Sequence, residues 1–310
     1  MKKISIVTPC YNEEGNVELL YEKVKEEFFK LSLNYTYEHI FIDNASTDRT
    51  VDILKKIASH DKNIKLIVNS RNFGHIRSPI YGLLQSTGDA TMLIVADLQD
   101  PPELIPQFIK KWEEGNEIVI GVKNQSLETP LMFFIRKCYY NLLDKLSEIK
   151  LIKNYTGFGL YDKKIITILK ELNDPYPYFR GVVMELGFKK SILNYIQPER
   201  KRGITKNNFY TLFDIAMLGI CSHSKIPLRL ATFVGLIFSL FSLLVAFCYA
   251  LYKFIFWDSF SLGIAPVVIG LFFIGSIQLF MLGIVGEYIG WIFTRVSAKS
   301  LVYEKERINF

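Results

Sequence analysis

Ile4-Ser-Ile-Val-Thr-Pro-Cys-Tyr-Asn-Glu-Glu14 is an apolar run that ends at a proline and passes into a polar turn, and Val17 to Leu31 follows with Leu20, Val24, Phe28 and Leu31 on one helical face. The period of the apolar residues switches from two to 3.6, the mark of a strand followed by an amphipathic helix. The unit then repeats. His39-Ile-Phe-Ile-Asp43 precedes a helix over Thr50–Ala58, Ile64–Val68 precedes one over Ser78–Gln85, and Met92–Ala96 precedes Pro102–Trp112, whose proline sits in the first turn. Glu117–Gly121 reads as a fifth strand. Strands alternating with helices predict an α/β fold with a mostly parallel sheet covered on both faces. Such sheets bind ligands outside the carboxyl ends of their strands.

The segments at those ends are polar: Pro9–Glu14, Asp43-Asn-Ala-Ser-Thr-Asp48, Asn69-Ser-Arg-Asn-Phe-Gly74 and Asp97-Leu-Gln-Asp100. None is a Gly-x-Gly-x-x-Gly or Walker loop, which removes a dinucleotide site and a P-loop. A lone Asp after a strand is usually a helix cap, and Asp48 before Arg49-Thr50 has part of that role. Four such loops in succession point to a site. Asp97 and Asp100, with the Gln99 amide between them, are hard oxygen ligands suited to Mg²⁺ or Mn²⁺, a metal usually shared with substrate phosphates. Asp43 and Glu13 can accept hydrogen bonds from a base or ribose, while Arg71 either meets phosphate or braces the loops. The chemistry suggested is that of a nucleotide-diphosphate donor. His39, His60, His75 and His223 have no metal spacing, and His75 beside the Arg71–Gly74 loop reads as structural more readily than functional.

A hydrophobic fraction of 50% over 310 residues is high for a soluble chain, and the excess is C-terminal. Leu230–Tyr252 and Leu262–Gly286 run roughly 23 and 25 residues without a charge, or with none before Glu287, each long enough to cross a bilayer. Only Lys253–Ser261 separates them, so they predict an antiparallel pair. Lys225 and Arg229 precede the pair and Arg295, Lys299, Lys305 and Arg307 follow it, which places both termini on the cytoplasmic side of a multi-pass inner (cytoplasmic) membrane protein. Tyr288 and Trp291 suit an interface. Two further segments suit the membrane surface: Leu131–Leu143, which carries Arg136 and Lys137, and the stripe Phe209, Leu212, Phe213, Ala216, Met217 and Ile220. The expected organisation is a catalytic domain over 1–206, an interfacial helix and linker over 207–228, two spans within 229–294, and a tail over 295–310.

The formal charge of +6 is too small for a nucleic-acid binder and compatible with an anionic lipid surface. Cys10, Cys138, Cys221 and Cys248 form neither a zinc pattern nor a disulfide framework, as expected for thiols in a reducing compartment. The start of the chain lacks an apolar stretch long enough for a signal peptide.

Several motifs in order resemble the family 2 glycosyltransferases of the GT-A nucleotide-diphospho-sugar transferase fold, and among them the polyisoprenyl-phosphate group of dolichol-phosphate mannose synthase and bactoprenol glucosyltransferase. They are Val7–Glu14, Asp43–Thr50, Arg71–Gly74, Asp97–Glu103, Phe179-Arg-Gly181, Glu199–Lys206 and Ser224–Arg229. The resemblance implies a donor site of Pro9, Tyr11, Asn12, Glu13, Asp43, Asp48, Arg71 and Lys206, with Mg²⁺ or Mn²⁺ on Asp97 and Gln99. It implies an acceptor phosphate met by Lys123, Arg136 and Arg200, the two arginines acting with Asp97 in catalysis, and self-association, as a tetramer, through the membrane helices. Two positions depart from the family pattern. Val95 replaces the first acid of Asp-x-Asp-x-Gln, and Thr156-Gly-Phe158 lacks the acid of Gly-Asp-Phe. Glu185 is a candidate substitute carboxylate.

The implied reaction is inverting transfer of a sugar from a UDP- or GDP-sugar to a polyprenyl (undecaprenyl) phosphate at the cytoplasmic membrane face. A phosphate monoester, with a second pKa of about 6, is mostly dianionic at neutral pH and needs no general base. The competing expectations are a catalytically weak, membrane-docked subunit that binds nucleotide or lipid, and a transferase with a protein or glycan acceptor.

Overall fold

A computed structural model describes residues 1–31, 34–123, 152, 154–198, 217, 224, 226–255, 264–296 and 300–310. The strands are β1 (Lys2–Cys10), β2 (Tyr35–Asp43), β3 (Ile64–Asn69), β4 (Ala90–Leu93), β5 (Ile118–Lys123), β6 (Tyr155–Asp162), β7 (Lys190–Tyr195) and β8 (Glu304–Ile308). They form one eight-stranded sheet in the order β7-β5-β6-β4-β1-β2-β3-β8. β1 runs parallel to β2 and β4, and β2 parallel to β3, so the ends of all four open on the same edge. β6 is antiparallel to both β4 and β5, and β8 is antiparallel to β3. The α/β class and mostly parallel sheet expected from the sequence are present.

Alternation along the strands assigns the two faces of the sheet. Ile4, Ile6, Phe41 and Leu66 face α1 (Val17–Leu31), α2 (Thr50–His60) and α4 (Ile105–Glu113), against Leu20, Leu54 and Phe108. Val7, Ile42 and Ile67 face α3 (Gly74–Leu84), α5 (Lys163–Leu172) and α6 (Phe179–Glu185), against Leu83, Ile166 and Val183. Gly82 allows α3 to approach closely: a Cβ there would lie 2.8 Å from Val7 Cγ1 and 3.0 Å from Ile42 Cγ2. Glu38, buried in β2, has its charge paired. Glu38 accepts hydrogen bonds from Ser5 Oγ, Lys3 Nζ and the Thr87 backbone N–H, and Lys65 Nζ lies 2.7 Å from it.

The first five strands and four helices fall where the hydrophobic period puts them, with shifts at the edges. The helix expected over Ser78–Gln85 begins at Gly74, because Asn72 Oδ1 accepts from the Gly74 N–H at 2.8 Å and starts the turn early. Pro79 is therefore inside the helix, where it has no N–H to give the His75 carbonyl.

The C-terminal region differs more. Two long helices, α7 (Ile226–Ile255) and α8 (Ile264–Val296), contain the first expected span and the described part of the second, and meet at Phe238 and Phe273 with ring centroids 5.8 Å apart. Among the described residues one segment, Phe273–Val296, is long and apolar enough to cross a membrane by length and composition, and Ile226–Phe241 is a shorter apolar stretch. Glu287 does not interrupt the second helix, which continues through Trp291 to Val296. The connection at 256–263 and both surface segments, apart from Met217, lie outside the described residues. Within the stretch expected as a tail over 295–310, Glu304–Ile308 returns to the sheet and becomes the edge strand beside β3.

Candidate active site

Three of the loops at the parallel strand ends carry a residue with φ near +60°: Asn12 (56°), Ala45 (62°) and Leu98 (61°). Left-handed conformations cost a non-glycine residue roughly 1–2 kcal/mol each, so the surroundings must hold them. Asp43 does so for its own loop, accepting from the Ser46 N–H at 2.9 Å and from Ser46 Oγ. Asn12 joins that loop to the first, taking Ser46 Oγ on its N–H at 2.8 Å and offering Oδ1 to the Thr47 N–H at 2.8 Å. Asp48 Oδ1 accepts from the Thr50 N–H at 3.0 Å, and Thr50 Oγ1 in turn accepts from the Glu13 N–H at 2.8 Å. Asn12, Asp43 and Asp48 therefore brace the loops at the strand ends.

The loops frame a cavity of about 640 Å³ lined by Pro9, Tyr11, Glu13, His75, Asp97 and Arg180, among others. One end is acidic. Burial, reinforced by Asp43, Glu13 and Asp48, pushes the Cys10 thiol well above its ordinary pKa, so it stays a neutral hydrogen-bond donor. Burial also raises Asp43, partly offset by its bonds from Ser46. Another part of the lining is cationic. Arg180, in the first turn of α6, lies over the Tyr178 ring at 5.3 Å and donates to the Tyr155 carbonyl at 3.3 Å. Burial and the neighbouring Arg180 lower the His75 pKa, which favours the neutral imidazole.

Asp97 is 8% exposed and lines the cavity, with Oδ1 accepting from the Gln99 N–H at 3.1 Å. Gln99 itself is not among the lining residues. Asp100 turns away: Oδ1 accepts from the Tyr195 hydroxyl at 3.1 Å and Oδ2 from the Val95 N–H at 3.2 Å. Among the described residues no group of three or more His, Cys, Asp or Glu side chains could hold a metal. The residues present still fit a hard divalent ion of the Mg²⁺ type, which is commonly bound by one or two carboxylates and completed by phosphate and water. Asp97 supplies one.

Gly157 explains one departure. It lines the cavity at φ +110°, a conformation that excludes most side chains, so this backbone does not accommodate an Asp there without strain. Arg71, Lys123 and Glu185, like Asn12, Asp43, Asp48 and Gln99, are outside the cavity lining. Arg71 packs over the Phe73 ring at 4.2 Å and donates to the Asn72 carbonyl at 3.2 Å, bracing its loop. Lys123 donates to Gln197 Oε1 at 3.3 Å. Glu185, at the far end of α6 from Arg180, lines a second cavity instead of this one. Arg136, Arg200 and Lys206 lie outside the described residues.

The structure adds Asn44, which sequence reading passed over. Its Nδ2 donates to Asn72 Oδ1 at 2.8 Å and to the Gly74 carbonyl at 3.2 Å, while its Oδ1 accepts from the Phe73 N–H and from Asn69 Nδ2. It also adds Arg180, whose motif was noted without a role. An arginine at the second position of Phe179-Arg-Gly181, where a helix begins, was the available signal.

The model of the family described as "Glycosyl transferase family 2" matches residues 5–167, which hold the loops that follow β1, β2, β3 and β4. The chain belongs to glycosyl transferase family 2. This family 2 chain is 35% identical over 298 residues to an uncharacterized glycosyltransferase, YkcC, of Bacillus subtilis (strain 168), covering 96% of this chain and 91% of that one. It is 31% identical over 306 residues to the bactoprenol glucosyl transferase of Shigella phage SfX, covering 98% of this chain and 99% of the phage protein. Among solved structures, glucosyl-3-phosphoglycerate synthase from Mycobacterium tuberculosis superposes with a TM-score of 0.49 at 17% identity, over 71% of this chain and 78% of that one.

Proposed function

We propose that this glycosyltransferase moves a hexose-type sugar, with inversion, from a UDP- or GDP-sugar to a polyprenyl phosphate at the cytoplasmic face of the membrane. The observation that carries the reading is the extent of the similarity to the bactoprenol glucosyl transferase of phage SfX, which runs through 98% of this chain and so includes the apolar helices as well as the catalytic domain. Two physical features support it. Apolar side chains on both helices are turned outward, Leu240 exposed by 61% and Leu279 by 71%, a surface suited to lipid rather than water. β8 also belongs to the same sheet as β1, so a chain that enters the membrane after β7 must return to the side it left, which favours two crossings over one.

In this reading the acidic end of the cavity, with Tyr11 and Glu13 on its wall, receives the nucleoside, and Asp43 keeps the wall in shape. Asp97 would hold Mg²⁺ or Mn²⁺, which when bound neutralises charge developing on the leaving diphosphate. Arg180 holds the acceptor phosphate from the cavity wall, with Arg136, Arg200 and Lys206 as further candidates for phosphate contacts. Neutral His75 beside Arg180 can hydrogen-bond phosphate or a sugar hydroxyl. Because the acceptor is already a dianion at neutral pH, the protein's task is to align it with the sugar C1 and exclude water.

The test is a panel of radiolabelled UDP- and GDP-sugars supplied to membranes containing the protein, with undecaprenyl phosphate and Mg²⁺ or Mn²⁺. A labelled glycosyl-phospholipid that depends on the added lipid is the expected result. Nucleotide binding with no lipid-linked product from any donor would replace the proposal with a binding-subunit role, and activity indifferent to added polyprenyl phosphate would point to another acceptor.

A further inference from the structure

We propose that an apolar groove between α3, α5 and α6 holds the first isoprene units of the acceptor and feeds its phosphate to Arg180. This rests on the lipid-acceptor reading above. The groove has a volume of about 510 Å³ and is walled by short apolar ridges from each helix: Ile80 and Leu84 on α3, Leu169 and Leu172 on α5, Val182 and Leu186 on α6. Each pair is spaced three or four residues apart and so lies on one helical face. Leu301, just beyond the apolar helix, also lines it.

Three relationships select a lipid chain as the occupant. First, the groove adjoins the catalytic cavity, since Ile80 and Pro177 line both. Ile76, Ile80 and Leu84 form a continuous ridge of spacing four that begins in the cavity and ends in the groove. Second, the outer rim includes Arg295, in the last turn of the helix that carries the apolar segment Phe273–Val296, and this arginine meets Asp174 at 2.6 Å. A chain leaving the bilayer along that helix arrives at the rim. Third, the charges orient an amphiphile. In the groove lining Asp174 is paired with Arg295 and Glu185 adds a second carboxylate, so the groove offers an anionic head no net positive charge; Arg180, in the cavity beyond Ile80 and Pro177, offers one, and the head is favoured there with the apolar chain behind it.

The groove should make affinity depend on chain length. In the purified full chain, KM is measured for geranyl, geranylgeranyl and undecaprenyl phosphate, beside the affinity for the nucleotide-sugar donor. Leu172, 53% exposed, and half-buried Leu186, at the edge of the core, are replaced singly by Trp to fill the groove, with Leu172→Trp the variant that leaves the core untouched. Wild type should gain affinity with length, and Leu172→Trp and Leu186→Trp should raise KM for the longer acceptors about tenfold or more, the range in which apolar pockets discriminate, with donor affinity unchanged. A polyprenyl phosphate carrying a diazirine on its second isoprene unit should label peptides from α5 and α6. Retained chain-length gain in both variants, or label confined to other segments, overturns the groove alone. Failure of wild type to glycosylate any polyprenyl phosphate overturns the proposed function and the groove with it.

Discussion

The Asn44 side chain donates to Asn72 Oδ1 at 2.8 Å, tying the loop after β2 to the loop after β3. Asn69 Nδ2 adds a 3.1 Å bond to Asn44 Oδ1, so one buried amide serves three backbone or side-chain partners on the neighbouring loop and Asn69 behind it. Asn44→Ala should leave the Phe73 N–H without its acceptor. A buried donor left unpaired costs about 1–3 kcal/mol, and the loop that begins α3 and lines the cavity loses its anchor. The expected outcome is lower stability in denaturant titration together with weaker donor binding by calorimetry.

Asp97→Asn separates charge from geometry. The amide carbonyl can still accept from the Gln99 N–H, now at 3.1 Å from Oδ1, so the loop at positive-φ Leu98 is preserved while the negative charge is removed. If Asp97 holds the divalent ion, the concentration of Mn²⁺ giving half-maximal activity should rise by about 10–100-fold, with the melting temperature of the metal-free protein little changed. An unchanged metal dependence would remove Asp97 from the metal site.

Arg180→Ala should lower the rate of transfer by about 10²-fold or more, the usual consequence of deleting one donor aimed at developing or transferred charge. Arg180→Lys keeps the charge without the planar fork and should recover part of the loss. Steady-state kinetics with varied acceptor distinguishes this from a packing effect. Release of the Tyr155 carbonyl, 3.3 Å from Arg180 Nη1, would affect donor and acceptor alike, whereas a lost phosphate contact raises the acceptor KM selectively.

Glu38 makes stability pH-dependent. Burial opposes its ionisation, yet bonds from Lys3, Lys65, Ser5 and the Thr87 N–H outweigh that and hold its pKa at about 2. The unfolded carboxyl titrates near 4.3, so the stabilisation is present in full above that pH and is lost as pH falls toward 2; a difference of this size corresponds to about 3 kcal/mol. Glu38→Gln should flatten the acid limb of a stability-versus-pH curve and lower stability at neutral pH.

The parallel strands and the loops at their ends were legible because each strand is a short apolar run closed by Pro, Asp or Asn, and each helix shows a clean 3.6 period. The charged strand Glu304-Lys-Glu-Arg-Ile308 has no such signature. Its burial pattern alternates between partly covered and exposed, as an edge strand requires, and its polar side chains are satisfied by α2 and α3. The division of labour among site residues was hidden for a different reason. Asp43, Asp48 and Asp97 look alike in sequence, and only the directions of their hydrogen bonds separate braces from the carboxylate that lines the cavity. Likewise Asp100 shares a motif with Asp97 but is claimed by Tyr195, a residue 95 positions away.

The return of the chain to the sheet should be necessary for the site as well as for the fold. Glu306 meets Lys55 at 2.6 Å, Tyr81 donates to Glu304 at 2.8 Å, and Asn309 Nδ2 donates to the Ala58 and Ile64 carbonyls at 2.7 and 2.9 Å. Closer to the site, the Tyr303 carbonyl accepts from the Ser70 N–H at 2.9 Å, and the Tyr303 ring lies 6.1 Å from Phe73, whose N–H Asn44 holds. Truncation after residue 299 would uncover the whole edge of β3 and leave a free strand able to pair with another chain. Asn309→Ala is the milder probe: it removes the donor from two carbonyls for a cost of about 1–3 kcal/mol. Hydrogen exchange in the full-length variant should show faster exchange in β3 and in the Ser70–Gly74 loop, with β5 and β7 on the opposite edge unchanged. Uniform acceleration across the sheet would instead mean that β8 stabilises the domain without any particular hold on the donor loop.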